Sequence, residues 1–372
     1  MSGGAGQRAG LPSRFAPLLI DWQRRAGRSG LPWQGIREPY RVWLSEVMLQ
    51  QTQVSTVLGY YTRFLERFPN VQALSDAGAD EVMALWSGLG YYSRARNLHR
   101  CAQAVVGKHN GTFPSTAAGL ESLPGIGAST AAAIAAFCFG ERVSIVDGNV
   151  RRVLTRLLAF EGDLAQTKHQ RELWDLAQGL LPIEPSPDDM TAYTQGLMDL
   201  GATLCTRSRP ACAKCPMQDI CAGYQSGEPQ RFPIKTRTLK RRHESWWLLL
   251  VRIGGERERF WLQRRPGSGI WAGLFCPPVY ECEDEVLAAL TPAWVEAVVP
   301  LEAVSHSLTH RELRLHPLLL DLTDEPKSED MPPGQWVEAA VLIQHGLPAP
   351  VKLLLQRLLE SGLGSSPTTR AI

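Results

Sequence analysis

Apolar residues recur three and four positions apart through most of residues 12 to 204, with polar residues between them. That period predicts amphipathic helices. The segment VWLSEVMLQQTQVSTVLGYYTRFLERF (42–68) carries it with one interruption, at Gly59. ADEVMALW, SRARNLHRCAQAVVGKH, STAAAIAAFCF, GNVRRVLTRLLAF and MTAYTQGLMDLGATLC repeat it. FPN, SGLGYY, LPGIG and LPIEPSPDD separate the helices as Gly/Pro punctuation. No internal repeat stands out, so the pattern predicts an irregular helical domain rather than a solenoid. Past Cys221 the period changes. WWLLLVRI, RFWLQRR, LRLHPLLLDL and QWVEAA read as strands, with helices at DEVLAALTPAWV and VKLLLQRLLES, giving an α+β region.

A length of 372 residues fits two domains, and 44% apolar with 20% charged residues is a globular composition. The expected division is a helical domain over 1–225, a linker over 226–243, an α+β domain over 244–360 and a disordered tail over 361–372. The linker is basic: Arg231, Lys235, Arg237, Lys240, Arg241, Arg242 and His243 lie in it, with no acid between Glu228 and Glu244. The net charge of +2 divides as +3 over 1–225 (22 Lys/Arg against 19 Asp/Glu) and −1 beyond (17 against 18). That imbalance fits a basic catalytic half without demanding nucleic acid. The longest apolar run, Ala131 to Phe139, is far short of a membrane span. The start MSGGAGQRAG lacks the hydrophobic core of a secretion signal, so a cytoplasmic protein without membrane contact is expected.

Eight cysteines are too few for a disulfide scaffold, and four crowd together as Cys205, Cys212, Cys215 and Cys221. Their spacing, C-x6-C-x2-C-x5-C, lets four thiolates converge on one metal centre. Zinc sites of this kind use two close pairs. Here one close pair is flanked by two single ligands, which favours a [4Fe–4S] cluster over zinc. Arg207, Arg209 and Lys214 sit within the loop, placed to balance thiolate charge or to meet phosphate. The remaining cysteines are scattered and read as small core residues.

LPGIG (123–127) has the form of a helix-hairpin-helix turn. Gly125 and Gly127 permit a tight turn, and the N–H groups opening the next helix can cradle a phosphate. Further on, VDGNVRRVLTR places Asp147 at a helix start, where an aspartate on its own reads as an N-cap. Glu46 lies among Leu44, Val47, Met48 and Leu49, which suggests a buried helix and hence a raised carboxyl pKa.

Together LPGIG, VDGNVRRVL and the four-cysteine loop resemble the helix-hairpin-helix DNA glycosylase superfamily, which includes endonuclease III. Within it, LPWQG (31–35), WLSEVMLQQTQV (43–54), WSGLGYYSRARNL (86–98) and SGIWAGLF (268–275) resemble the adenine DNA glycosylase family. The match is dense over 12–225 and looser over 240–360. The resemblance implies a multidomain fold: an all-α helix-hairpin-helix domain with an iron–sulfur cluster loop, then a Nudix-like α+β domain. It implies a monofunctional hydrolytic glycosylase of base excision repair. Its substrate would be adenine paired with 8-oxoguanine or guanine in duplex DNA, and the protein would act as a monomer at the bacterial-type nucleoid.

The residues that match the family motifs carry expected roles. Glu46 is the general acid that protonates adenine N7, and Asp147 the carboxylate that stabilises the sugar cation or captures it covalently, with Asn149 beside it orienting water or carboxylate. Trp33, Leu49 and Gln195 match the adenine pocket. Gln51 and Tyr91 match wedges around 8-oxoguanine, and Arg94 and Arg96 are spaced to contact consecutive phosphates or to cover a helix surface. Ser129 stands where the endonuclease III branch carries its Schiff-base lysine, and a hydroxyl cannot form an imine.

The second domain resembles a Nudix fold, but ECEDEVLAAL lacks the Arg-Glu-x-x-Glu-Glu arrangement that holds magnesium, which speaks against pyrophosphate hydrolysis. HSLTHREL (306–313) matches the family's lesion-reading loop, with Thr309 and His310 as its candidate contacts and Leu308 where the family has an aromatic residue. A pyrimidine-lesion glycosylase/lyase and a non-catalytic DNA-binding iron–sulfur protein are the competing readings.

Overall fold

The computed structural model describes residues 11–236 and 241–360. The proposed tail over 361–372 and the middle of the basic linker, 237–240, lie outside the described residues. The chain forms two compact units: one combines residues 1–76 with 100–238, the other 77–99 with 239–372.

The first unit is helical. Its elements are α1 (Leu11–Ala26), α2 (Pro39–Leu49), α3 (Val54–Arg67) and α4 (Val71–Asp76). After the second unit's α5 (Ala79–Trp86) comes α6 (Ser93–His109), whose first turns belong to that unit and the rest to the first. Then follow α7 (Ala117–Glu121), α8 (Ala128–Phe139), α9 (Gly148–Leu157), α10 (Thr167–Gly179), α11 (Pro187–Thr203) and α12 (Ala222–Gln225). The helix α8 is the hub. Ala131 to Cys138 are all buried, and these mostly small side chains let α2, α7 and α11 pack close around it. Local chemistry fixes the starts of the helices beside it. Glu38 accepts from the Tyr40 and Arg41 N–H groups with Pro39 opening α2, and Ser186 forms a capping box with Asp189 at the start of α11.

The apolar period over 42–68 is interrupted, but not at Gly59, which lies inside α3. The break falls at 50–53, where Gln51 adopts a left-handed conformation (φ 56°). The helix α10 carried no distinct signal. Part of the expected linker packs on the first unit: Phe232 is buried, and the Thr236 hydroxyl donates to Asp163 Oδ2 at 2.6 Å.

The second unit is built on a mixed sheet. Its strands are β1 (Arg242–Ile253), β2 (Arg259–Arg264), β3 (Phe275–Cys276), β4 (Val279–Tyr280), β5 (Val299–Pro300), β6 (Val304–Ser307), β7 (Arg311–Leu322) and β8 (Gln335–Glu338). The central path runs β3-β2-β1-β7-β5, with β4 on β1, β6 on β7 and β8 on β2. The strands β1 and β7 pair in parallel along their full length, from Arg242 opposite Arg311 to Ile253 opposite Leu322. Leu249, Val251, Trp261, Leu318 and Leu320 form a core closed by Val286. The helix read over 284–295 is two short ones, α13 (Glu283–Ala288) and α14 (Pro292–Ala297). Pro292 lacks the N–H a continuous helix needs and opens the second instead. A final helix, α15 (Ala349–Glu360), completes the unit.

Residues 77–99 join this unit through specific bonds. The Ser87 and Tyr92 hydroxyls both donate to the Leu347 carbonyl, at 3.0 and 2.9 Å, and Arg96 donates to the Ala272 carbonyl at 2.7 Å. A β-carbon on Gly346 would lie 2.8 Å from Met83 Cβ, so glycine is what lets the two segments approach. Among the described residues no helix is long and apolar enough to cross a membrane.

Candidate active site

A cavity of about 700 Å³ opens in the first unit between α2, the 28–36 loop and α11. Glu46 projects into it from α2, one face of which is otherwise core: Val42, Trp43, Leu44, Val47 and Met48 are buried. Trp33 and Leu49 line the cavity as well, Trp33 braced edge-on against Tyr61 at 5.2 Å. Asn149 and Gln195 are part of its polar wall, with Arg28, Gln34 and Gln53.

The surrounding protein desolvates the Glu46 carboxyl and pushes its pKa up to about 8, with the negative charge of Asp147 adding to the shift. At neutral pH this group therefore carries its proton. Asp147 is held differently. It caps α9, its Oδ1 accepting the Val150 N–H at 2.7 Å, and the positive end of the helix favours a negative charge there. One carboxyl is desolvated and the other caps a helix N-terminus. Asp147 does not itself line the cavity; its charge contributes to the raised pKa of Glu46.

Asn149 is locked in place. Arg152 donates to its Oδ1 at 2.9 Å and also to the carbonyls of Gly201 and Cys205, at 2.7 and 2.8 Å. A β-carbon on Gly201 would lie 2.8 Å from Asn149 Cβ, so only glycine allows α11 to come so near. Ser129, at the start of α8, accepts the Val146 N–H at 3.2 Å and so fixes the backbone immediately before Asp147. In the hairpin turn before it, Gly125 has a positive φ of 76°, and Gly127 faces open space at the N-terminus of α8.

Cys205, Cys212, Cys215 and Cys221 line one small cavity with Arg156. Arg156 is buried; it donates to Cys205 Sγ at 3.4 Å and to the carbonyls of Thr206 and Arg207 at 2.7 and 3.0 Å. Burial pushes the Cys215 thiol up to about 12, and the neighbouring sulfurs add to the shift. Among the described residues no three His, Cys, Asp or Glu side chains are grouped as a site for a single metal ion.

In the second unit, the Tyr91 and Thr309 hydroxyls are hydrogen-bonded at 2.9 Å, both side chains exposed. Tyr91 has a left-handed backbone (φ 47°), and the Arg94 guanidinium lies 5.5 Å from its ring centroid.

Two family models match the chain: "HhH-GPD superfamily base excision DNA repair protein" over residues 44–178 and "NUDIX domain" over 247–357. An adenine DNA glycosylase of Buchnera aphidicola (from Acyrthosiphon pisum) is 32% identical over 345 residues, covering 92% of this chain and 97% of that protein. The chain belongs to the adenine DNA glycosylase family. Its human relative of that name is 34% identical over 387 residues, covering 87% of this chain and 70% of the human protein. A solved thermostable thymine-DNA glycosylase superposes with a TM-score of 0.51 at 25% identity, over 59% of this chain and 98% of its own.

Set beside the sequence expectations for an adenine DNA glycosylase family member, the structure brings Glu46, Trp33, Leu49, Asn149 and Gln195 to one cavity. Gln51 is exposed at the break between α2 and α3, outside the cavity wall. Thr309 sits with Tyr91, while His310 gives its carbonyl to the Arg242 N–H. Arg94, expected at a phosphate, is buried, donates to the Leu89 and Gly90 carbonyls at 3.2 Å each, and stacks on Trp86 and Tyr91. It shapes the SGLGYY turn. Arg96 is likewise engaged with Ala272. Sequence reasoning missed Arg28 and Asp199, which face each other 171 positions apart, and Arg152 as the brace of Asn149. The run of arginines after Asp147 was the one available signal for Arg152.

Proposed function

We propose that this chain excises adenine from duplex DNA, acting on adenine paired with 8-oxoguanine or guanine. The adenine must leave the stack to expose its glycosidic bond, and a 700 Å³ cavity with Trp33 and Leu49 in its wall has room for a flipped purine. Glu46 gives its proton to adenine N7. The C1′–N9 bond then breaks, its electron pair leaving with the base, and the sugar becomes an oxocarbenium ion. Asp147 stabilises that cation electrostatically, with Asn149 set beside the cavity by Arg152. Water adds at C1′ and returns a proton to the Glu46 carboxylate. The observation that carries this reading is a carboxyl held protonated by burial next to one held at a helix N-terminus. Ser129 offers no amine for an imine, which favours hydrolysis over lyase chemistry.

The exposed Tyr91–Thr309 pair supports a second role for the other unit, reading the base opposite adenine; Gln51 and His310 are its further candidate contacts. The open N-terminus of α8 behind Gly125 and Gly127 suits a DNA phosphate. Cys205, Cys212, Cys215 and Cys221 would hold a [4Fe–4S] cluster: four thiols share one cavity, and the buried cation Arg156 donates to one sulfur. Bound there, the cluster would cross-link the 205–221 loop and add anionic thiolates beside that arginine. On this reading the protein is a monomer that works at the nucleoid of a bacterial-type cell.

The deciding experiment is alkali-developed cleavage of duplexes with adenine opposite 8-oxoguanine, guanine or thymine. Release opposite the first two is expected. No release from any of them, or a borohydride-trapped covalent adduct with a pyrimidine lesion, would overturn the proposal.

A further inference from the structure

Behind the cavity wall lies a carboxylate that the chemistry above does not use. The Asp199 side chain is fully buried (0% exposed) on α11. Its Oδ2 accepts the Arg28 backbone N–H at 2.9 Å, and its Oδ1 accepts both Arg28 Nε at 2.7 Å and Gln195 Nε2 at 2.8 Å. The approach depends on Gly27, where a β-carbon would lie 2.5 Å from the Gln23 carbonyl oxygen and 3.1 Å from Asp199 Oδ2. Gln195 and Arg28 line the cavity with Glu46, whereas Asp199 does not.

We propose that Asp199 fixes the polarity of the Gln195 amide, so that the cavity presents a hydrogen-bond acceptor that takes the 6-amino group of adenine and refuses a 6-oxo purine. A primary amide has a donor end and an acceptor end, and its two orientations are close in shape. An ionised carboxylate only accepts. Turning the Gln195 amide over would set Oε1 against Oδ1, two acceptors facing each other out of water. The Nε2 end is therefore turned toward Asp199, with one of its two N–H groups spent there. Among the described residues no donor is paired with Gln195 Oε1, the end left for the cavity. Adenine carries a donor at C6, and guanine and hypoxanthine carry an acceptor there. A buried acceptor meeting a carbonyl leaves both unpaired. Asp199 is thus a positioning residue: it touches no substrate and acts through Gln195.

This inference rests on the cavity being the adenine site, so its test separates the two claims. Single-turnover release of adenine, purine and hypoxanthine is measured opposite the same 8-oxoguanine, for the full-length wild type and for Asp199→Asn. Dividing variant by wild type cancels the intrinsic lability of each glycosidic bond. An asparagine can offer either end of its amide, so Gln195 becomes free to turn. The adenine-to-hypoxanthine ratio should fall by roughly 10-fold or more, with purine, which bears nothing at C6, changed least. Equal slowing on all three bases would reduce Asp199 to a structural role and overturn the inference. If the wild type releases adenine from no duplex, the adenine reading fails instead. Should the variant not fold, the wild type still decides. In a spectrum of protein labelled with 15N-glutamine, the Gln195 side-chain NH2, identified by its loss in Gln195→Leu, should be protected from solvent exchange. Exchange as fast as that of an exposed glutamine would also overturn the inference.

Discussion

Glu46 and the Tyr91–Thr309 pair are opposite solutions to the use of a polar group. Glu46 stands on a helix whose Val42, Trp43, Leu44, Val47 and Met48 are buried, and desolvation by the surrounding protein raises its pKa to about 8. Tyr91 and Thr309 hold ordinary hydroxyls at the surface, positioned by one bond to each other. The first site changes the chemistry of its side chain, and the fold bears the desolvation cost. The second leaves the chemistry unaltered and fixes only the geometry. A catalytic acid needs the former; a reader of base edges needs only the latter. The consequences of mutation should differ accordingly, with large kinetic effects in the first unit and shifts of preference in the second.

The largest effect is expected at the carboxyls. Glu46→Gln and Asp147→Asn should each slow single-turnover adenine release by roughly 1,000-fold or more, with duplex affinity nearly unchanged. A near-normal rate in either variant removes that residue from the chemistry. The wild-type rate should also fall about tenfold per pH unit above pH 8, as Glu46 loses its proton. Stability should fall with rising pH as well, but in a lower window. Between the ordinary carboxyl range and about pH 8, the folded state holds one proton more than the unfolded chain, so the Glu46 contribution to stability falls as pH rises through that window and levels off above it. At pH 7 Glu46→Gln should therefore stabilise the protein by roughly 2 kcal/mol, visible as a higher Tm. An unchanged or lower Tm would contradict a desolvated acid.

Next in size is Arg152→Gln, which frees Asn149 without touching the cavity. A loss of roughly 10- to 100-fold in single-turnover rate is expected from misplacement alone. Wild-type kinetics would show that Asn149 holds its place without the brace.

In the second unit, Tyr91→Phe and Thr309→Val should each reduce the preference for 8-oxoguanine over guanine by roughly 3- to 10-fold, and together by less than the product, since one bond joins them. The rate opposite guanine should stay constant. Fully multiplicative effects would separate the two residues. The smallest effect is expected at Asp80, whose carboxyl the Arg264 guanidinium holds below the ordinary carboxylate range across an exposed pair at 2.6 Å. Asp80→Asn should cost less than about 1 kcal/mol at pH 7, and the difference should vanish as pH falls through the folded pKa of that carboxyl. Denaturant titration at pH 7 and pH 3 measures both.

Much of the first site was legible because its parts sit in unbroken local patterns. The apolar neighbours of Glu46 and the turn before Asp147 can be read from adjacent letters. What could not be read depends on partners far along the chain. Arg94 has the spacing of a surface cation, and only the placement of Trp86 and Tyr91 against it makes it a buried brace. Asp199 lies in an unremarkable MDLGA stretch and gains its meaning from Arg28, 171 positions away. The break at Gln51 carries no glycine to announce it, because a glutamine takes the left-handed conformation there. The strands β1, β2 and β7 were read because β-branched, aromatic and leucine-rich runs persist over them. The grouping of 77–99 with residues beyond 238 leaves no trace in composition.

That grouping has a consequence for how the chain is made. Residues 77–99 leave the ribosome about 140 positions before their partners begin to appear at 239. At the usual pace of synthesis the delay is roughly 10–30 s. Throughout it, Ser87 and Tyr92 have no Leu347 carbonyl to meet, and Met83 has no Gly346 to pack on. The nascent protein must therefore carry an unfinished surface in its middle while its first unit matures. Stalling or premature termination before residue 347 would leave this segment as a ready target for chaperones and proteases, so that only chains extended past that position complete these bonds.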